Sequence, residues 1–92
     1  MVLVYPATAR DVPALRALGV RTWRATYEGV LAGADVERGI EELFNTYSLA
    51  AAVRDGRMLA AARDGIIVGL LEFDSVDATR TMVWKLYVDP DA

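Results

Sequence analysis

Two side chains that many enzymes use for nucleophilic or metal-assisted chemistry are missing from this sequence. It contains no histidine and no cysteine. That composition excludes Ser-His-Asp and Cys-His catalysis, thiolate zinc sites and disulfide bonds. We expect no metal site, and any chemistry must use carboxylates, hydroxyls, backbone amides or a cofactor.

The bulk composition is that of a small folded protein with an acidic balance. The chain has 92 residues, of which 54% are apolar and 25% charged, and its net charge is −3. This length suggests one domain at most, and the acidic balance argues against nucleic acid as a partner. Four early arginines fall mostly on the polar side of one predicted helix, which is typical of a solvated face; they are Arg10, Arg16, Arg21 and Arg24.

No segment carries a membrane or export signal. The longest apolar runs, such as "GIIVGLL", fall well short of the ~20 residues that cross a bilayer. The N-terminus lacks the basic stretch and long apolar stretch of a signal peptide. We therefore expect no membrane partner and a cytoplasmic location.

The first half of the chain predicts one strand followed by helices. A β-prone run at 2–5 ends at a proline, and Thr8 and Asp11 then have the spacing of a capping box. Apolar residues at helical spacing predict a helix at about 9–28. A second helix follows Gly33, on an apolar stripe of Val36, Ile40, Leu43, Phe44 and Tyr47.

Whether residues 34–55 form one helix or two is open, because Ser48 could cap a further short helix that ends at Gly56. After Gly56 the period changes to that of strands. The pair Asp64-Gly65 between two apolar runs is typical of a type I′ turn, so strands at about 57–63 and 66–74 form a hairpin. A polar loop "SVDAT" and a last strand at about 80–88 complete the chain.

The order is therefore β-α-α-β-β-β. Consecutive strands with short links pair antiparallel, and the helices must pack on the resulting sheet. We expect an α/β (α+β) sandwich with a mainly antiparallel sheet.

Three segments in this order resemble the GNAT superfamily of acetyl-CoA-dependent N-acetyltransferases. "VYPATARDVPALRALGVRTWRATYEGVL" is similar to the opening strand, cap and first helix of that family. "AARDGIIVGLLEF" is similar to its second and third strands, and "LYVDP" to the end of its fourth. The resemblance covers the whole chain, which corresponds to the N-terminal half of the family's domain, so 1–92 would be a single partial domain.

The resemblance implies acetyl transfer from acetyl-CoA to an amine, a small-molecule or peptide acceptor. The family's glycine-rich loop, whose amides hold the pyrophosphate, and its later strands have no counterpart here. The chain would then be part of a longer enzyme or a half-domain that has lost the activity. In either case the resemblance implies weak acetyl-CoA binding and no activity for the 92 residues alone.

The resemblance also suggests site residues. The fourth-strand segment that contacts the cofactor corresponds to Leu86, Tyr87 and Val88, whose backbone amides could also stabilise a developing oxyanion. The alternative is that they are merely strand. On the acceptor side the corresponding residues are Trp23, Tyr27, Val30 and Leu31, although Trp23 and Tyr27 could instead be core.

The general base is not assigned. Glu72 in "LLEF" is a carboxylate inside a predicted strand near the expected cleft, but strand alternation could point it into solvent. Glu28 and Asp35 flank the loop that the resemblance implies for the acceptor, "GVLAG" at 29–33, and are further candidates.

A second hypothesis needs no catalysis. The last strand, "TMVWKLYV", would have an unpaired edge with Lys85 as its only charge. This edge favours a non-catalytic α/β module that self-associates, as a homodimer or a larger assembly, through the last strand.

Overall fold

The computed structural model describes all 92 residues and places a layer of three α-helices on one face of a four-stranded antiparallel sheet. The predicted fold class is confirmed. None of the helices has both the length and the apolar character needed to cross a membrane. The strands are β1 (Val2–Pro6), β2 (Met58–Arg63), β3 (Ile66–Asp77) and β4 (Arg80–Val88). The helices are α1 (Val12–Tyr27), α2 (Gly33–Leu43) and α3 (Thr46–Arg54).

The entry into α1 follows the predicted capping box. The backbone N–H of Thr8 donates to the Asp11 carboxylate at 2.9 Å, and the N–H of Asp11 donates back to the Thr8 carbonyl. Residues Ala9–Asp11 form a single 3-10 turn, so the α-helix begins at Val12 and not at residue 9. Pro13 lies in the first turn of the helix, where its missing N–H has no intrahelical partner to lose.

The open question about residues 34–55 is answered by two helices. Phe44 ends α2, and the side chain of Asn45 caps α3 by accepting a hydrogen bond of 2.8 Å from the backbone N–H of Ser48. The prediction that Ser48 caps this helix is therefore wrong, since Ser48 lies inside its first turn. The break also changes the helical phase, so Tyr47 leaves the predicted apolar stripe and is 81% exposed.

The predicted hairpin is confirmed, and the loop after it is shorter than expected. Asp64 and Gly65 both have positive φ, 53° and 80°, as a type I′ turn requires. We expected 75–79 to be a polar loop, but β3 continues to Asp77 and pairs with the start of β4. The Asp77 carboxylate accepts hydrogen bonds from the N–H of Thr79 and the guanidinium of Arg80, which closes a tight turn. Strand β3 is therefore three residues longer than predicted, whereas β4 has the predicted bounds.

The strands follow one another in the sheet in chain order, β1-β2-β3-β4. One face lies against the helices, and its central residues are buried, as Ala60 at 0% and Leu70 at 3% exposure show. The largest side chains of this core come from all three helices, from the α2–α3 junction and from β2. They are Leu15, Leu18, Ile40, Phe44, Leu49 and Met58.

The opposite face of the sheet is apolar and uncovered, and we call it the open face. Cross-strand pairing places its residues in two adjacent rows. Strands that are apolar on both sides are typical of sheets covered on both faces. The rows are Val4, Ala61, Gly69 and Val88, and beside them Leu59, Leu71 and Leu86.

Candidate functional site

Strand β4 forms one edge of the sheet and carries the three residues proposed for the cofactor. It pairs with β3 alone, so its other side is unpaired. Leu86 and Val88 point to the open face and are 65% and 58% exposed, whereas Tyr87 points towards the helices. This alternation follows from the period of two along a strand.

The open face contains a shallow apolar cavity beside these residues. It measures about 190 Å³, and its floor includes Ala61 and Gly69, where small side chains leave room. Leu86, Tyr87 and Val88 all contribute to its lining. The structure therefore brings the three candidate residues to one cavity, whose lining is almost entirely apolar.

Tyr87 also belongs to an aromatic cluster on the helix side, which we define as Trp23, Tyr27, Phe44 and Tyr87. The rings of Phe44 and Tyr87 meet edge to face, with centroids 5.1 Å apart. Burial raises the pKa of the Tyr87 phenol, and the nearby Tyr27 raises it further. Tyr87 therefore stays protonated at neutral pH and can donate a hydrogen bond.

Trp23 and Tyr27 lie next to each other in α1 and join this cluster. Their ring centroids are 4.4 Å apart, and Trp23 lies 6.3 Å from Phe44. Trp23 packs against the hydrophobic core, in line with the core alternative, yet its indole N–H is buried without a hydrogen-bond partner. Two acceptor candidates, Trp23 and Tyr27, thus share one aromatic cluster with one cofactor candidate, Tyr87.

The predicted acceptor loop lies beyond the end of α1. The carbonyl of Tyr27 accepts hydrogen bonds from the N–H groups of Val30 and Leu31, at 2.9 and 3.0 Å, which folds the loop tightly. The side chains of Val30 and Leu31 are 74% and 41% exposed. Neither side chain is part of the aromatic cluster or packs against the hydrophobic core, so the structure does not bring all four acceptor candidates into one cluster.

A cavity of about 180 Å³ lies at this loop, and charged side chains line it with Leu31. Glu28 lies in its wall, and the ion pair between Arg24 and Glu37, 2.7 Å long, closes one side. Asp35, the other candidate base near the loop, instead pairs with Arg38 one helical turn later at 2.9 Å.

Glu72 lies on the helix side of the sheet, not in solvent. Its side chain is 14% exposed, and the solvent alternative is wrong because Glu72 lies on the same face of the sheet as its cross-strand neighbour Lys85, with which it pairs. The Lys85 ammonium lies 3.2 Å from Oε1 of Glu72, and the Arg57 guanidinium lies 3.4 Å from Oε2. Lys85 also donates to the carbonyl of Leu43. The role of Glu72 as a general base stays a prediction.

Sequence reasoning missed Phe44 as a member of the site. It predicted this residue only as part of an apolar stripe, yet the ring links Trp23 to Tyr87. The sequence feature that could have indicated this packing is glycine inside predicted helices. Gly19 makes room for the Phe44 ring, and Gly39 makes room for the Trp23 indole. No group of three or more acidic residues is arranged to hold a metal ion.

Comparison with solved structures gives a consistent picture of the fold. The chain superposes on a PaiA N-acetyltransferase from Thermoplasma acidophilum in complex with coenzyme A with a TM-score of 0.86 at 20% identity, covering 99% of this chain and 60% of that one. The chain has the fold of about half of a GNAT N-acetyltransferase domain. A GNAT-family acetyltransferase from Bacillus cereus matches with a TM-score of 0.69 at 16% identity, over 100% of this chain and 53% of that one.

A third GNAT neighbour is the diaminobutyrate acetyltransferase from Paenibacillus lautus, in complex with L-2,4-diaminobutyric acid and coenzyme A. Its TM-score is 0.68 at 20% identity, over 100% of this chain and 48% of that one. This chain therefore spans about half the length of the GNAT structures it matches. No protein-family model and no curated protein sequence matches it.

Proposed function

We propose that residues 1–92 are the N-terminal part of one acetyl-CoA-dependent N-acetyltransferase domain. The observation that carries this proposal is a complete match to half of the GNAT fold, together with a sheet that is apolar on its uncovered face. The remaining half would cover that face. The parent would transfer acetyl to a small-molecule or peptide amine, and a cytoplasmic location is part of the proposal.

The chemistry would be a direct acyl transfer. The neutral amine nitrogen attacks the thioester carbonyl carbon, a C–N bond forms, the C–S bond breaks, and the nitrogen loses a proton while the thiolate gains one. In this scheme the backbone of Leu86, Tyr87 and Val88 contacts the cofactor, and its amides stabilise the developing oxyanion. The Tyr87 phenol is a hydrogen-bond donor on the helix side of the same strand.

The acceptor side of this scheme uses α1 and the loop after it. Trp23 and Tyr27 would contact the body of the amine from α1, and Val30 and Leu31 would contact it from the loop. A carboxylate must take the ammonium proton before attack. Glu72 is the candidate inside the sheet, and Glu28 is the candidate in the wall of the loop cavity.

The test is to express the reading frame that continues past Ala92 and to measure thiol release from acetyl-CoA with a panel of amines. Amine-dependent release by the longer protein and none by residues 1–92 is the expected result. Leu86→Pro, which removes one backbone amide of the proposed cofactor strand, should abolish thiol release. Tyr47→Ala, at an exposed position of α3, should leave it unchanged. A stop codon directly after Ala92, or a longer protein inert with every amine, would overturn the proposal.

A second candidate function is a non-catalytic module that self-associates through β4. The unpaired strand favours it, because Met82, Val83 and Trp84 are each about half or more exposed, at 47%, 50% and 61%. Pairing of two such edges about a two-fold axis would satisfy their backbone groups.

Light scattering at micromolar concentration tests this candidate. We expect a dimer or larger species, converted to monomer by Trp84→Lys. Tyr47→Lys adds the same charge at an exposed position away from the edge and should leave the dimer intact. A stable monomer of the parent chain would exclude self-association.

A further inference from the structure

Phe44 occupies an unusual position in this fold, at the junction between α2 and α3. Its side chain is fully buried. The ring enters the surface of α1 at Gly19, and a methyl group at that glycine would overlap ring atoms of Phe44. The ring is therefore held by a notch in a neighbouring helix and has no room to change its rotamer freely.

The same ring contacts both sides of the candidate site. It lies edge to face with Tyr87, at 5.1 Å and an interplanar angle of 75°. It also lies edge to face with Trp23, at 6.3 Å and 68°, and Trp23 rests against Tyr27. Such arrangements are the favoured geometries of aromatic pairs, so each ring restricts the angle of the next.

Strand β4 fixes Phe44 from the other direction. The Lys85 ammonium lies 5.6 Å from the centroid of the Phe44 ring. It also donates to the carbonyl of Leu43, the residue before Phe44, and pairs with Glu72. Because Lys85 lies two residues before Tyr87 on the same face of the strand, the α2–α3 junction and the end of β4 are tied together.

We propose that Phe44 is a positioning residue, which sets the spacing and angle between Tyr87 and the Trp23–Tyr27 pair and thereby the position of the rings that the proposed amine acceptor would contact. This inference rests on the proposed acetyltransferase function for its second part. Its first part concerns the folded 92-residue chain alone and can be measured there. Replacing the rigid ring by a flexible side chain loosens both edge-to-face contacts at once.

The experiment measures the pKa of the Tyr87 phenol directly. The chain is labelled with 13C in its tyrosine rings, and its carbon NMR spectrum is followed from neutral to alkaline pH. Tyr87→Phe assigns the resonance. Phe44→Leu and Gly19→Ala disturb the ring in independent ways, the first by removing it and the second by filling its notch. Both should lower the pKa of the Tyr87 phenol towards its ordinary value, and both should reduce the near-ultraviolet circular dichroism of the aromatic cluster.

The matched control is Val12→Ala, a buried change in α1 that lies two turns, about 10 Å, from Gly19. It should lower stability without moving the pKa of Tyr87 or the near-ultraviolet signal. If both ring variants fold with an unchanged Tyr87 titration, or if Val12→Ala moves it equally, the proposal is overturned. Failure of the proposed function alone would give a different result. The extended protein would show no acetyl transfer, while Phe44→Leu would still lower the pKa of the Tyr87 phenol.

Discussion

The guanidinium of Arg21 in α1 lies 2.7 Å from the carboxylate of Asp89, the first residue after β4. The Asp89 side chain is 14% exposed and also accepts the backbone N–H of Asp91 at 3.0 Å. The N–H of Asp89 donates to the carbonyl of Val68 in β3. One acidic residue thus joins the helix layer, the sheet and the turn that follows the candidate cofactor strand.

Asp89 should make stability depend on acid pH. The N–H of Asp91 and then the Arg21 guanidinium lower its pKa below the ordinary value. Between the folded and the unfolded pKa of Asp89, the unfolded state binds more protons than the folded state. The contribution of Asp89 to the free energy of unfolding is therefore fully present above the unfolded pKa, near ~3.9, and is lost as pH falls through the lower folded pKa. We expect Asp89→Asn to be less stable than the parent at neutral pH and equal to it in strong acid, as measured by urea unfolding at a series of pH values.

The control for this prediction is Asp35→Asn. Its ion pair with Arg38 joins two side chains that are 46% and 65% exposed, and such pairs contribute little. An Asp89→Asn variant as stable as the parent at every pH would show that the contact to α1 is energetically neutral.

Gly39→Ala should destabilise the chain, although alanine favours helix. A methyl group at Gly39 would overlap the indole of Trp23. The gain in helix propensity is about 1 kcal/mol, and overpacking costs about 1–3 kcal/mol, so we expect a net loss. Thermal unfolding followed by circular dichroism measures it.

Gly33 offers a matched position in the same helix, because no atom lies within 4 Å of a methyl group there. Gly33→Ala should be neutral or slightly stabilising. If both glycine variants gained stability equally, Trp23 would not be packed against α2 as described.

The hairpin turn should tolerate asparagine at its first position and resist alanine at its second. Gly65 has φ of 80°, so Gly65→Ala should cost about 1 kcal/mol in the free energy of unfolding. Asp64→Asn keeps a residue that accepts positive φ and should be neutral. Denaturant unfolding of the two variants gives the comparison, and a neutral Gly65→Ala would argue against a type I′ turn.

The Glu72–Lys85 pair should matter more than any surface pair. Both side chains are largely buried, at 14% and 11% exposure. Lys85→Met leaves Glu72 facing Arg57 alone and should cost about 3 kcal/mol or more. The double variant Lys85→Met with Glu72→Leu should recover much of that loss in urea unfolding. A double variant as unstable as the single one would mean that Lys85 acts mainly through the Leu43 carbonyl.

Acetyl-CoA should bind weakly to residues 1–92. The end of β4 presents the carboxylates of Asp89 and Asp91, which repel phosphates, and the nearby Arg21 is already paired with Asp89. Calorimetric titration should show no saturable heat at micromolar acetyl-CoA. Micromolar affinity would place the phosphate site within these residues and would contradict this expectation.

Patterns with a local cause were predictable from the sequence. The capping box at Thr8 and the turn at Asp64-Gly65 depend on neighbours a few residues away, and both formed as expected. The inclusion of Tyr47 in the apolar stripe of α2 was wrong, because an asparagine cap at Asn45 starts a new helix out of phase with the previous one. A side-chain cap is hard to distinguish in sequence from an ordinary polar residue inside a helix.

The candidate site was predictable only in part. The placement of Leu86, Tyr87 and Val88 near the end of the last strand followed from the resemblance, but the meeting of Tyr87 with Trp23 through Phe44 depends on helix packing. Ion pairs such as Arg21 with Asp89, 68 residues apart, have no sequence period to reveal them.

The sheet order also has a consequence for the nascent chain. β2, β3 and β4 are linked by tight turns, whereas β1 pairs with β2 across the whole helical segment, as in the contact of Val2 with Arg63. On the ribosome β1 emerges before β2 and cannot pair until β2 has been made, which takes several seconds at roughly 5–20 residues per second. Its apolar residues stay exposed to chaperones throughout that interval, so β1 is the segment at which translation speed bears on the yield of folded protein.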